Sequence, residues 1–120
     1  MGVDVTTYLM YGIKLDQKKF DEEFEKNNPD ISEDEVFDFL EDERDGAFDA
    51  EFRIVEDYMC GKYVVIGEVL ESLSEHEEKF YTISVDKLPD PDKLIEAINK
   101  KLNSNYQRSE FKLLLFNNFH

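Results

Sequence analysis

From residue 3 to residue 15 the odd positions Val3, Val5, Thr7, Leu9, Tyr11, Ile13 and Leu15 are mostly apolar, with Asp4, Thr6, Gly12 and Lys14 between them. A period of two over this length puts alternate side chains on opposite sides of a strand and predicts one buried face. A strand of this kind commits the chain to a sheet, since its backbone groups and its apolar face both need a neighbour. Tyr63-Val64-Val65-Ile66 narrows the choice further. It is apolar on both faces, which asks for a central strand.

The other elements are arranged around these two. Asp16 opens a helical pattern in which Phe20 and Phe24, four apart, share a face. Asn27-Asn28-Pro29-Asp30 closes it, because the residue before proline is pushed out of the helical region. Ser32 and Glu35 have the spacing of a capping box and predict a second helix ending at Gly46, with Val36, Phe39 and Leu40 as its apolar stripe and Phe37 at the margin. Phe48, Ala50, Phe52 and Ile54 alternate with Asp49, Glu51, Arg53 and Val55, predicting a half-buried strand. Residues 58–62 read as a hairpin connection into a strand over 63–70, residues 72–78 as a polar loop and residues 80–85 as a further strand. Asp90 and Pro91 suit the cap and first position of a helix whose buried stripe is Leu94, Ile95, Ala97, Ile98 and Leu102. A loop over 103–108 and a final strand over 111–116 follow.

The predicted order is therefore β-α-α-β-β-β-α-β, an α+β fold with a single largely antiparallel sheet and helices against it. Without the extra helix and one strand this is the split βαββαβ plan of ferredoxin-like folds. At 120 residues the whole chain is expected to form one domain.

The formal charge of −15 is unevenly placed. Residues 16–57 hold 18 acidic side chains against five basic ones, net −13, while residues 1–15 are neutral and residues 58–120 carry only −2. Such a surface repels nucleic-acid phosphate and anionic membranes, which need clustered Lys and Arg. No apolar run approaches the ~20 residues that cross a bilayer. The opening residues lack the basic-then-apolar pattern of a signal peptide. One cysteine, Cys60, forms no internal disulfide and fits a reducing compartment, so a cytoplasmic location is expected.

Catalytic and metal chemistry find little support. Cys60 sits in a predicted turn, and neither His76 nor His120 belongs to a nucleophile motif. There is no G-x-S-x-G and no glycine-rich phosphate loop. His76-Glu77-Glu78-Lys79-Phe80 begins like a zinc-protease motif but ends in Phe, losing the second ligand. Glu41, Glu43, Asp45, Gly46 and Asp49 follow the early spacing of a calcium loop, yet the position that should supply a bidentate Glu is Phe52. No catalytic residue, cofactor or metal is assigned.

The acidic block is what remains, and carboxylates in rows stand in for the phosphates of duplex DNA. The residues assigned to this face are Asp21, Glu22, Glu25, Asp30, Glu33, Asp34, Asp38, Glu41, Asp42, Glu43, Asp45, Asp49 and Glu51. With the acidic stretch of residues 21–57, the opening VDVTTYLMYGIKL and the core run YVVIGEVL, the chain resembles the small acidic proteins that tailed phages make early in infection to disable host machinery. Several of those are DNA mimics that act on restriction enzymes, CRISPR effectors, RNA polymerase or the nucleoid protein HU. The resemblance implies a non-enzymatic inhibitor in the host cytoplasm, whose partner is a basic nucleic-acid-binding protein and which touches neither nucleic acid nor membrane directly. A protein-interaction or assembly module working through an apolar sheet edge or residues 116–120 stays open, as do a homodimer and a small ligand-binding domain.

Overall fold

Asp16 ends the first strand and starts the first helix. β1 spans Val5–Asp16, and the Asp16 carboxylate accepts a hydrogen bond from the Lys19 backbone N–H at 3.2 Å, capping α1 (Gln17–Asn27). The computed structural model describes residues 4–74, 86 and 88–120. Phe20 and Phe24 are the buried face of α1, as the four-residue spacing predicts. Beyond a 3₁₀ turn at Glu33–Glu35 lie two short helices, α2 (Val36–Phe39) and α3 (Glu41–Asp45). β2 (Arg53–Glu56) and β3 (Tyr63–Ser74) form a hairpin; α4 (Pro91–Leu102), a 3₁₀ turn at Arg108–Glu110 and β4 (Lys112–Phe119) complete the described elements. The predicted strand at 80–85 lies outside the described residues, and so does the predicted loop beyond residue 74.

The four strands are ordered β2-β3-β1-β4, every neighbouring pair antiparallel. β3 inserts between β1 and β2, which is what splits the first βαβ unit, so the described elements follow the split βαββαβ plan within an α+β class. β3 is central, and Val64, Val65 and Ile66 are buried on its two faces.

Three local expectations are corrected. The second helix is not continuous. Ser32 Oγ donates to the Glu35 carboxylate at 2.7 Å and caps no backbone N–H, and the path bends at Leu40 (φ −105°, ψ 11°), whose side chain is fully buried. Acidic side chains at Glu33, Asp34, Glu35, Asp38, Glu41 and Asp42 repel at helical spacing, which weakens one long helix here. The strand expected from Phe48 begins only at Arg53, and Phe48 is fully exposed. β1, finally, is buried on both faces. Tyr11, Ile13 and Leu15 pack with α1 and α4, whereas Tyr8 and Met10 point the other way.

The helix-covered core joins Phe20, Phe24, Ile95 and Ile98 to Ile13, Ile54 and Ile66, with Leu40 and Phe52 from the α1–β2 connection. Burying each such side chain contributes roughly 1.5–3 kcal/mol relative to exposure. The smaller second cluster, Tyr8, Met10, Val55 and Val65 with Tyr63, Leu114 and Phe116 at its margin, is built from strands alone.

The sheet covers this second cluster by curling over it. β2 and β4 are opposite edges, yet Asn118 on β4 donates to the Glu56 carbonyl at 2.8 Å and to the Tyr63 hydroxyl at 3.0 Å. Phe116 stacks on Tyr8 at 5.6 Å and meets the Tyr63 ring edge-on at 6.0 Å. The bend that allows this falls where Gly12 and Gly67 are register partners, since a Cβ on either runs into the partner's backbone. A β-bulge between Leu9 and Met10, with Leu70 as the extra residue opposite, bends the ladder further. The hairpin between β2 and β3 is held by Asp57, whose carboxylate accepts from the Lys62 and Cys60 N–H groups at 3.1 Å each. These bonds, that of Lys62 foremost, hold its carboxyl below the usual value.

Candidate functional site

With Phe20 and Phe24 turned inward, α1 presents Asp21, Glu22 and Glu25 outward at helical spacings of three and four. After the Pro29-Asp30 turn, Ile31 packs back on the core and the chain runs past α1 through Ser32, Glu33 and Val36. Between these two walls lies a groove of about 970 Å³. Phe24, Ile31, Val36 and Phe37 form its floor and flank, while Asp21, Glu22, Glu25 and Glu33 stand on its rim. Phe37 is 56% exposed on the flank of this groove.

Two cations also line the groove. Lys26 is exposed in the last turn of α1. Arg44 is already engaged: it contacts the Glu56 carboxylate at 3.0 Å and lies over the Phe37 ring at 5.4 Å. Burial pushes the Glu56 carboxyl above its ordinary value; Arg44 opposes that shift and Asp21 adds to it. Even with an arginine in contact, burial prevails, and the charge of Asp21 reaches behind the groove.

A second cavity, of about 350 Å³, lies between α3 and α4. Asp42, Glu43, Asp49 and Glu51 line it together with Lys100 and Lys101. Here too four carboxylates stand with two cations, but one of the carboxylates is buried and paired. Glu43 is only 7% exposed and contacts Lys101 Nζ at 3.6 Å, and that ammonium sits 4.2 Å over the Phe39 ring. Glu43 therefore does not belong to the solvent-facing set in which the sequence placed it. Its position seven after Val36, four after Phe39 and three after Leu40 puts it on the apolar stripe, and that was the available signal.

The remaining assigned residues, Asp30, Asp34, Asp38, Glu41 and Asp45, are exposed but line neither cavity. The structure thus brings four of the thirteen around the groove, places four beside the lysines of α4, and leaves five on open surface. Lys100, Lys101 and Arg44 were not anticipated, because nothing local to Glu43 announces a lysine 58 residues further on.

The calcium-like spacing does not become a site. Glu41 and Asp45 are exposed, Glu43 turns inward, and Phe52 is buried in the core. Among the described residues no group of three His, Cys, Asp or Glu is placed to hold a metal ion. Cys60 is exposed in the β2–β3 turn, and His120 shares a 2.9 Å hydrogen bond with the Thr6 hydroxyl. His76 lies outside the described residues. Among the described residues no helix is long and apolar enough to cross a membrane.

No protein-family model, no curated protein and no solved structure matches this chain.

Proposed function

We propose that this protein is a non-enzymatic inhibitor that sets its acidic surface against the basic, nucleic-acid-binding face of a partner protein in the cytoplasm, in the place of nucleic-acid phosphate. One observation carries the reading: four carboxylates, Asp21, Glu22, Glu25 and Glu33, gather around one open groove, where Lys26 is the only unengaged cation among the described lining residues. Unpaired charge collected at a concave surface focuses potential outward and accelerates association with a basic partner. A nucleoid protein of the HU type or a defence nuclease has the required basic face, and a phage origin agrees with the sequence resemblance.

Displacement of labelled duplex DNA from purified HU, followed by fluorescence anisotropy, tests the reading. Displacement is expected to weaken at least about tenfold when salt rises from about 0.1 to about 0.3 M. Replacing all four rim carboxylates by lysine is expected to abolish it, while single replacements cost little. Displacement by the fourfold variant at the original affinity, with the same salt response, would sink the idea for this partner; a panel of basic nucleases run the same way decides it for the class.

A second reading has its own support. On the edge strand β4, Leu113, Leu115 and Phe119 are 54%, 74% and 46% exposed. An apolar edge strand favours assembly by strand pairing. Light scattering at rising concentration tests it: a dimer that persists in high salt and is lost in Leu115→Lys supports assembly, and a monomer throughout rejects it.

A further inference from the structure

Resting on the reading that this surface captures a basic partner, we infer that the groove between α1 and residues 31–37 receives one amphipathic, basic α-helix of that partner. The rim supplies the charge argument. Asp21, Glu22, Glu25 and Glu33 line the groove beside the accessible apolar side chains of Ile31, Val36 and Phe37, so the complementary surface carries Lys or Arg flanking a stripe of apolar side chains. A purely charged ligand such as a phosphate backbone fails on both counts, being repelled by the rim and offering nothing to the floor.

The walls supply the argument for helical form. The groove is walled by α1 and a turn-and-helix segment, and no described residue of β2 or β4 lines it. None of its lining residues lies on a strand of the sheet, so an extended peptide finds no strand here to lengthen. A strand laid here leaves its own N–H and C=O groups unmatched, whereas a helix satisfies them internally and offers side chains at i, i+3, i+4 and i+7. A volume of about 970 Å³ takes the apolar face of such a helix. Phe37, exposed at 56% on the groove's flank, is the anchor expected to matter most, since aromatic side chains dominate the energetics of such contacts.

The test uses the full chain and a fluorescein-labelled synthetic peptide of about four helical turns, with Leu at i, i+3, i+4 and i+7 and Lys elsewhere. Two comparison peptides share its composition: one in scrambled order, one with a central proline that breaks the helix. The ordered peptide is expected to bind about tenfold or more tightly than either, to gain helical circular dichroism on binding, and to lose about tenfold in affinity to Phe37→Ala. Because Phe37 is largely exposed, an unchanged melting curve for that variant separates lost binding from lost folding. Glu22→Lys with Glu25→Lys is expected to weaken the ordered peptide and flatten its salt dependence.

Equal binding of ordered and scrambled peptides, or indifference to Phe37→Ala, would overturn the helix-in-groove inference. If both peptides nevertheless fail on the fourfold rim variant, charge capture by the acidic surface stands without the groove. If no peptide binds, the inference falls, and DNA displacement from HU decides the broader reading on its own.

Discussion

The two faces of the sheet are closed by different means. On one, α1 and α4 lower Phe20, Phe24, Ile95 and Ile98 onto the strands, and many apolar contacts share the load. On the other, no described helix contributes, and the sheet folds its own β4 end over Tyr8, Met10, Val55 and Val65. The first closure tolerates change at any one position in the way packed cores do, with a graded loss. The second rests on a few positions whose chemistry has no substitute, namely two glycines that let the ladder bend and one asparagine that ties edge to edge. The helix-covered side also carries the acidic groove on its outer layer, while its inner layer supplies the larger core.

The largest effect is expected from breaking the bend. Gly67→Val places side-chain atoms against the Tyr11 carbonyl and the Gly12 Cα, backbone that has no room to move without opening the β1–β3 ladder. A loss of about 4 kcal/mol or more in urea unfolding is expected, and both faces should fail together. Wild-type stability in that variant would show that the curl does not depend on the glycine pair. Ile98→Ala, on the helix-covered face, is expected to cost about 3 kcal/mol while leaving the curled face intact. Asn118→Ala removes the tie between β4 and the β2–β3 hairpin, leaving the half-buried Glu56 carbonyl short of its donor, and is expected to cost about 1–2 kcal/mol. Amide exchange sharpens the contrast: Asn118→Ala should raise exchange in β4 and β2 ahead of α1 and α4.

The helix-covered face was largely legible in the sequence, because it obeys local rules. Phe20 and Phe24 at helical spacing, Asp90 with Pro91 at a helix start, and the stripe from Leu94 to Leu102 all fold as their periods require. The curled face was not legible. Gly12 and Gly67 are 55 residues apart and look ordinary until strand register pairs them, and nothing local marks Asn118 as a bridge. The same bend explains the failed strand at Phe48. The β2–β3 ladder stops at the Arg53–Gly67 pair, so the alternation of residues 48–52 has no straight neighbour to follow. In the groove, the acidic rim was readable from charge counts and Phe37 from its place at the margin of the stripe. The concave path that brings Glu33 and Phe37 beside α1 depends on the Pro29-Asp30 turn and on how the helix breaks at Leu40.

The smallest expected effect concerns the seam of the helix-covered face in alkali. Tyr106 packs against that core, its backbone held by the Asn99 side chain, which accepts from the Tyr106 N–H at 2.9 Å and donates to its carbonyl at 3.1 Å. Burial pushes the phenol up to about 12, with the carboxylates of Glu23 and Glu110 adding to the shift. An unfolded tyrosine ionises near 10, so between pH ~10 and ~12 the unfolded chain has lost a proton that the folded chain still holds. Stability from this group is therefore full below pH ~10 and drains as pH rises toward ~12, since stability falls with pH wherever the unfolded state binds fewer protons. Tyr58, on the hairpin beside the curled face, is shifted in the same direction, first by burial and then by Glu56 and Tyr8. Tyr106→Phe is expected to flatten the fall of the melting temperature between pH ~10 and ~12, measured against wild type so that lysine deprotonation cancels. A parallel fall in the two proteins would mean that the seam opens before Tyr106 ionises, and would move the weak point of the helix-covered face from the phenol to the α4–β4 connection that holds it.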